Sequence, residues 1–399
     1  MMLERLFAGI APDSAFLVRR PDGRLLSVNG AREADGGTIV HVRRWRALAA
    51  ILARPGLALG EAYMDGDLVV ERGDLYRLLL IGARSARKIA RRRPPPARID
   101  TTRSRRNVAH HYDLSRDFFR LFLDDDLQYS CAYYADPRVS LEAAQIAKKR
   151  HLAAKLLLSP GQRVLDIGSG WGGLALTLAQ DWGADVTGVT LSTEQLQEAR
   201  ERALRAGLDD RVRFALQDYR DVQLTYDRIV SVGMFEHVGP AQYDAYLGAV
   251  HRLLDERGVA LLHTIGRFEG AGQRNPWIEK YIFPGGYIPA LSEIMTAVER
   301  SGLILTDVEV LRLHYAETLR AWRTRFAARR DEARAMYDER FCRMWEFYLT
   351  ASEASFREGS LVVLQLQLAK DRTVVPQTRD YIAAAERMDA QPPTRVAAE

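Results

Sequence analysis

The run Val164-Leu165-Asp166-Ile167, followed at once by Gly168-Ser169-Gly170-Trp171-Gly172-Gly173, constrains this chain more than any other stretch. Its aliphatic residues predict a buried strand. The dense glycines predict a turn whose backbone a ligand can touch, opening a helix from Leu174 to about Trp182. The same alternation recurs downstream, where RVLDIG, DVTGVT, RVRFALQD, DRIVSVG and VALLHTIG are short apolar or β-branched runs separated by helical stretches. Strands alternating with helices predict an α/β, Rossmann-like fold: a parallel sheet covered on both faces, with its ligands at the carboxyl edge of the strands.

Gly168, Gly170 and Gly173 also satisfy GxGxxG, a pattern that dinucleotide sites share. Two features turn the reading away from a dinucleotide. Asp166 stands two residues before the first glycine, where an acid suits an ammonium group better than a pyrophosphate, and the second strand ends in Thr190 with no ribose-binding acid. S-adenosylmethionine meets both conditions, its carboxylate at the helix N-terminus and its ammonium near the acidic strand end. Ser192, with Gln195 three positions on, predicts a capping box opening a helix beside the same cleft. Asp218 and Tyr219, past the third strand, are placed to frame an adenine.

A length of 399 residues with 47% apolar content allows two or three domains with sizeable cores. Residues 1–106 carry 21 basic against 11 acidic groups, which makes the amino-terminal part a candidate for contact with an anionic surface. The expected division is a small domain over 1–82, a basic linker over 83–106 containing Pro94-Pro95-Pro96, and a catalytic domain over 107–399 whose last 20 or so residues fray. Cys131 and Cys342 are too few for a disulfide framework and point to a reducing interior. The start of the chain does not read as a secretory signal, and no run of 18 apolar residues predicts a membrane span. His110 and His111 lack further ligands at useful spacing, so no metal is expected.

Seven segments in order, YSCAYY (129–134), LDIGSGWGG (165–173), GVTLSTEQ (188–195), IVSVGMFEHVG (229–239), LLHTIG (261–266), PWIEKYIFPGGYIP (276–289) and HYAETLRAW (314–322), resemble cyclopropane-fatty-acyl-phospholipid synthases and the related mycolic acid cyclopropane synthases. GLALGEAYMDGD extends the resemblance into the amino-terminal part. It implies a class I S-adenosylmethionine-dependent methyltransferase sheet with a helical insertion, plus a small N-terminal domain. For the cofactor it points to Tyr129, Ser130, Asp166, Gly168, Gly170, Thr190, Leu191, Ser192, Gln195, Asp218 and Tyr219. It also implies a bicarbonate ion acting as base, held by Cys131, Glu236, His263, Ile265 through its backbone, and Tyr315. Trp277, Tyr281, Phe283 and Tyr287 of the PWIEKYIFPGGYIP insertion would line an acyl channel.

The residues support this on their own terms. Glu236 follows the fourth strand, His263 ends the fifth, and Tyr315 follows a further strand, LILTDVEVLRL, so all three are expected at the carboxyl edge of the sheet. His237 beside Glu236 reads as structural. An unactivated alkene attacking a sulfonium methyl leaves a carbocation, so the site needs a base and dry, apolar walls. The expected partners are unsaturated phospholipids at an anionic membrane surface, with no nucleic acid and a homodimer left open; the expected location is the cytoplasm, peripherally on the inner face of the cytoplasmic membrane. Three alternatives stay open: a methyl-branched or methylene product, small-molecule N-methylation, and a lipid- or nucleic-acid-binding protein without catalysis.

Overall fold

The computed structural model describes residues 2–11, 14–90 and 114–388. They form two compact units, each discontinuous in sequence. One comprises the described residues up to Leu123 with Gly266–Leu291 and Arg312–Val362; the other comprises Asp124–Ile265, Ser292–Leu311 and the residues from Val363 on. Compactness therefore does not divide the chain at residue 106. Two segments leave the sheet after its fifth and sixth strands and cluster with amino-terminal residues instead. The expected linker also begins too early, since a helix spans Leu75–Ala90. Pro94 to Pro96, His110 and His111 lie outside the described residues.

In the first unit, β1 (Phe16–Arg19), β2 (Leu25–Val28), β3 (Ile39–Val42) and β4 (Leu68–Arg72) form a sheet of order β2-β1-β3-β4, with β1 and β3 parallel and the other pairs antiparallel. Phe16, Val18, Val28, Val40 and Val42 pack there against Leu48 and Ile51 of the helix Trp45–Ala53 and Ala58 and Ala62 of the helix Pro55–Met64.

In the second unit, β5 (Arg163–Ile167), β6 (Asp185–Thr190), β7 (Val212–Leu216), β8 (Tyr226–Val232), β9 (Leu254–Arg267), β10 (Ile304–Leu311) and β11 (Leu361–Ala369) form one sheet of order β10-β11-β9-β8-β5-β6-β7. The five central and near-edge strands anticipated from sequence pair in parallel, and β10 is the LILTDVEVLRL strand. Strand β5 is buried from Val164 to Ile167, as a strand covered on both faces must be, whereas the edge strand β7 alternates buried Val212 and Phe214 with exposed Arg213. The unanticipated strand is β11, antiparallel to β10, whose LVVLQLQLA buries Gln365 and Gln367 with its aliphatics.

The helix Leu141–Lys155 buries polar and charged side chains. Its Gln145, Lys148, Lys149, His151 and Lys155 are buried, while Ile146 is exposed. Spacing of three and four places Gln145, Lys148, Leu152 and Lys155 on one face, so the polar stripe points inward. Buried charge at this depth persists only when paired. His151 Nε2 lies 2.7 Å from Glu309 Oε2 and its Nδ1 2.7 Å from Glu386 Oε1, Lys155 Nζ donates to Glu309 at 2.5 Å, and the Tyr133 ring stacks on the imidazole at 4.2 Å. Glu386 belongs to a helix over Asp380–Met388, so the first half of the expected frayed tail is ordered by this contact.

Burial alone would lower the His151 pKa, but its two carboxylate partners outweigh that and raise it above the ordinary value. The imidazolium's contribution to stability is thus complete below about pH 6.5 and fades as pH rises through the higher folded value. A His151→Gln variant is expected to lose about 2 kcal/mol at pH 6 and clearly less at pH 9, as read by denaturant unfolding. An equal loss at both pH values would contradict a charged His151.

Candidate active site

Strand β5 delivers Asp166 and Ile167 to the carboxyl edge of the sheet, and the chain then turns through Gly168 at φ +85° and Gly170 at φ +54°. A side chain at Gly168 would press on Met234, while at Gly170 a Cβ would meet nothing within 4 Å, so that part of the backbone faces open space. Gly168 and Ser169 donate their N–H groups to Val189 O at 2.9 and 3.0 Å, tying the loop to β6. The helix Gly173–Trp182 begins without a side-chain cap, so its first N–H groups can donate to an anionic ligand.

Asp166 is 2% exposed, and its Oδ2 has no hydrogen-bond partner among the described residues. Burial pushes its carboxyl up to about 7, against the pull of the Lys148 ammonium. The Thr190 hydroxyl donates to Gln195 Oε1 at 3.0 Å and accepts the Ser192 N–H at 3.2 Å. Ser192 does cap the helix Thr193–Arg205, accepting the Gln195 N–H, but Gln195 does not close the expected box because its side chain is engaged by Thr190. Leu191 between them is 57% exposed, a free apolar face at the strand end. The Asp218 carboxylate is held by the Arg220 guanidinium, and Tyr219 packs edge-on against Tyr246 at 5.3 Å.

The segment before the sheet is fastened by groups that sequence reasoning missed. Lys148 Nζ donates to Gln128 Oε1 at 2.5 Å and to Ser130 Oγ at 2.9 Å, and Gln145 Nε2 donates to the carbonyls of Gln128 and Ser130. Lys149 Nζ donates to Asp126 Oδ2 at 2.6 Å, and Arg202 binds both Asp126 and the Trp171 carbonyl, the latter at 2.7 Å. Ser130, beside buried Cys131, is thereby fixed to the helix Leu141–Lys155. Complete burial lowers the Lys148 pKa to about 8; its charge acts on Asp124, Asp126, Cys131, Asp166 and His263. The available signal was the polar stripe of Gln145, Lys148 and Lys155 where an ordinary helix carries aliphatics.

Glu236 lies just past β8, and His263, paired with Val232 at the end of β8, lies within β9 with Ile265 two residues on. Glu236 lies in the turn Phe235–His237, and its Oε1 accepts the Ile265 N–H at 2.7 Å, while its Oε2 has no partner among the described residues. Burial raises its pKa. His263 Nδ1 receives the Gln365 amide at 3.2 Å, which leaves the proton on Nε2, and that atom also has no partner among the described residues. Because the Ile265 N–H is spent on Glu236 and its carbonyl accepts the Thr264 hydroxyl, Ile265 positions Glu236 here. Gln365 could not be anticipated, since its strand was not.

The first unit holds the remaining candidates. Tyr315, near the start of the helix His314–Ala328, packs on Trp322 and Phe356 at 5.8 and 4.8 Å. Trp277 is buried and leaves no room for a side chain at Gly60, and it packs on Phe347 at 4.7 Å; Tyr281 donates its hydroxyl to Glu61 at 2.9 Å. Trp277 and Tyr281 thus join the insertion to the helix Pro55–Met64. Phe283 packs edge-on against Tyr348, and Tyr287 is buried.

Burial pushes the His263 pKa down to about 3, and the nearby Lys148 charge adds to the effect. The imidazole is therefore expected to stay neutral from pH 5 to 8. Its ring nitrogen-15 shifts, assigned by comparison with His263→Ala, should be flat over that range; a midpoint near 6.5 would refute the assignment.

The family described as mycolic acid cyclopropane synthetase matches residues 99–366. The chain is 40% identical over 354 residues to the cyclopropane-fatty-acyl-phospholipid synthase of Escherichia coli strain K12, covering 86% of this chain and 90% of that one. It is also 40% identical over 356 residues to the tuberculostearic acid methyltransferase UfaA1 of Mycobacterium tuberculosis, covering 83% of each. Among solved structures, the cyclopropane synthase MmaA2 from Mycobacterium tuberculosis superposes with a TM-score of 0.64 at 35% identity, over 68% of this chain and 99% of that one. The mycolic acid cyclopropane synthase CmaA1, complexed with S-adenosylhomocysteine (SAH), gives 0.62 at 36%, over 66% and 97%. With its seven-stranded sheet and glycine loop, the chain belongs to the mycolic acid cyclopropane synthetase family of S-adenosylmethionine-dependent methyltransferases.

Proposed function

We propose that this protein transfers the methyl carbon of S-adenosylmethionine to the cis double bond of an unsaturated phospholipid acyl chain and closes a cyclopropane ring. The observation that carries this reading is a pair of buried polar atoms of complementary kind, the acceptor Glu236 Oε2 and the donor Nε2–H of His263, both without partners among the described residues. The π electrons of the alkene form a bond to the sulfonium methyl carbon while the carbon–sulfur bond breaks, and the thioether departs as SAH. The cation left on the chain closes to a ring as the transferred methyl loses a proton.

A buried carboxylate acceptor and a buried N–H donor, both unpartnered among the described residues, suit a bicarbonate ion, which has one hydroxyl to offer and oxygens that accept. When bound, bicarbonate supplies the proton acceptor. The chain's own part is orientation: Ile265 holds Glu236, and Gln365 fixes the tautomer of His263. For the methyl donor, Asp166 is the partner of the ammonium, the start of the helix Gly173–Trp182 takes the carboxylate, and exposed Leu191 offers a face to the adenine, with Tyr129 and Ser130 in the segment above.

The double bond of a common phospholipid lies about nine carbons from the headgroup, and exposing nine methylenes to water would cost roughly 7 kcal/mol. The protein must therefore take its substrate at the bilayer itself. No helix among the described residues is long and apolar enough to cross a membrane, and the basic amino-terminal part supports a peripheral position on an anionic leaflet. The relative named for tuberculostearic acid supports a second reading, with a methyl-branched or methylene product. Incubation with labelled S-adenosylmethionine and mixed unsaturated phospholipids decides between them. A product heavier than its substrate by CH2 that resists ozonolysis is the ring; a CH2 gain that ozone cleaves is an unsaturated methyl or methylene product, and a CH4 gain is a saturated methyl branch.

Glu236→Gln and His263→Ala are each expected to cut turnover by about 100-fold or more while leaving calorimetric affinity for SAH within a few-fold of wild type. Full activity in either variant would overturn the proposal. Because the Asp166 carboxyl titrates near 7 and must be ionised to pair with an ammonium, SAH binding should weaken as pH falls from 8 to 5.5. Asp166→Asn should bind more weakly at pH 8 and lose most of that pH dependence. A parallel pH profile in the variant would rule out this role.

A further inference from the structure

We propose that the membrane contact is made by one surface of the first unit, centred on Trp45 and flanked by Arg43, Arg44 and Arg46, which docks on anionic phospholipid headgroups. The inference rests on the lipid-surface reading above and assigns it a place. Trp45 opens the helix Trp45–Ala53 and is 52% exposed, while Ala47, Leu48 and Ile51 of the same helix are buried in the core of that unit. Helical spacing explains why the residues separate, and it leaves a large apolar ring in water, where no packing within the chain calls for it.

Basic groups outnumber acids around Trp45. Arg43, Arg44 and Arg46 are exposed, and the Arg20 guanidinium lies 5.6 Å over the indole. Arg20 reaches there from the turn after β1, whose other end carries exposed Arg24. Around the patch, acids answer only some of these arginines: Asp67 pairs with Arg44 at 3.1 Å, Asp22 with Arg20, and Glu71 with Arg19 at 2.8 Å. Arg43 and Arg46 have no carboxylate partner among the described residues. An indole whose ring is half in water, surrounded by guanidinium groups, matches the interface between headgroups and acyl chains, where Trp is enriched and each nearby basic residue adds attraction to an anionic leaflet. A single aromatic does not match a single-stranded nucleic acid, which needs a series of stacking rings.

The remaining tryptophans make the test specific. Trp171, Trp277, Trp322 and Trp345 are buried and Trp182 is packed against the core of the second unit, so quenching from a bilayer should fall on Trp45. The full-length protein is mixed with phosphatidylglycerol-containing vesicles whose acyl chains are brominated, with pure phosphatidylcholine vesicles as the neutral control. Wild type is expected to be quenched by the anionic vesicles, Trp45→Phe to lose most of that quenching, and Arg43→Gln/Arg46→Gln to co-sediment with about ten- to thirtyfold lower affinity. Both variants should keep wild-type turnover on detergent-dispersed unsaturated phospholipid, which separates docking from catalysis. Full quenching in Trp45→Phe, or unchanged sedimentation of the arginine variant, overturns this patch while leaving the lipid-surface reading intact. Wild type that ignores anionic vesicles overturns both.

Discussion

Burial of the ammonium groups of Lys148 and Lys149 is the constraint on which the second unit depends. A desolvated lysine is tolerable only with acceptors at hydrogen-bond distance, and here those acceptors, Gln128, Ser130 and Asp126, all lie in the segment that precedes the sheet. The helix Leu141–Lys155 therefore fastens that segment as firmly as an apolar core would, but with directional bonds that set where Ser130 and Cys131 stand. Arg202 extends the same lattice to the Trp171 carbonyl, so the glycine loop and the preceding segment share one polar scaffold.

That scaffold also sets the electrical character of the strand ends. Asp166 and His263 are both buried, and in both the desolvation of the charged form dominates, raising one pKa to about 7 and lowering the other to about 3. Each group thus tends toward neutrality until a ligand arrives. An ammonium beside Asp166 would restore its charge, and a neutral imidazole with its proton fixed on Nε2 by Gln365 can orient an anion without competing for its proton. A site that handles a carbocation benefits from that restraint, because stray water and stray bases would both intercept the cation.

Several of the expected site residues are tied to near neighbours: Ile265 donates its N–H to Glu236, Gln195 accepts from the Thr190 hydroxyl, Trp277 packs against Gly60, and Tyr281 donates its hydroxyl to Glu61. Short-range hydrogen bonds compete within a few ångströms, and which neighbour wins is decided by backbone placement that no spacing rule encodes.

The local pattern of the chain by itself determined the parallel strands β5 to β9, the glycine turn after β5, the acid at its entrance, and the placing of Glu236 just past β8; β9 itself runs on four residues past His263, which the sequence had put at its end. These follow from periodicity and from the fixed geometry of a strand that enters a helix, which act over a handful of residues. Only the tertiary structure decided that β11 inserts between β9 and β10 and carries Gln365 to His263, that the 266–291 and 312–362 segments join the amino-terminal residues in one compact unit, and that the polar stripe of Leu141–Lys155 faces inward. Those outcomes depend on which distant groups can satisfy a buried charge or amide, and that pairing exists only once the chain has closed on itself.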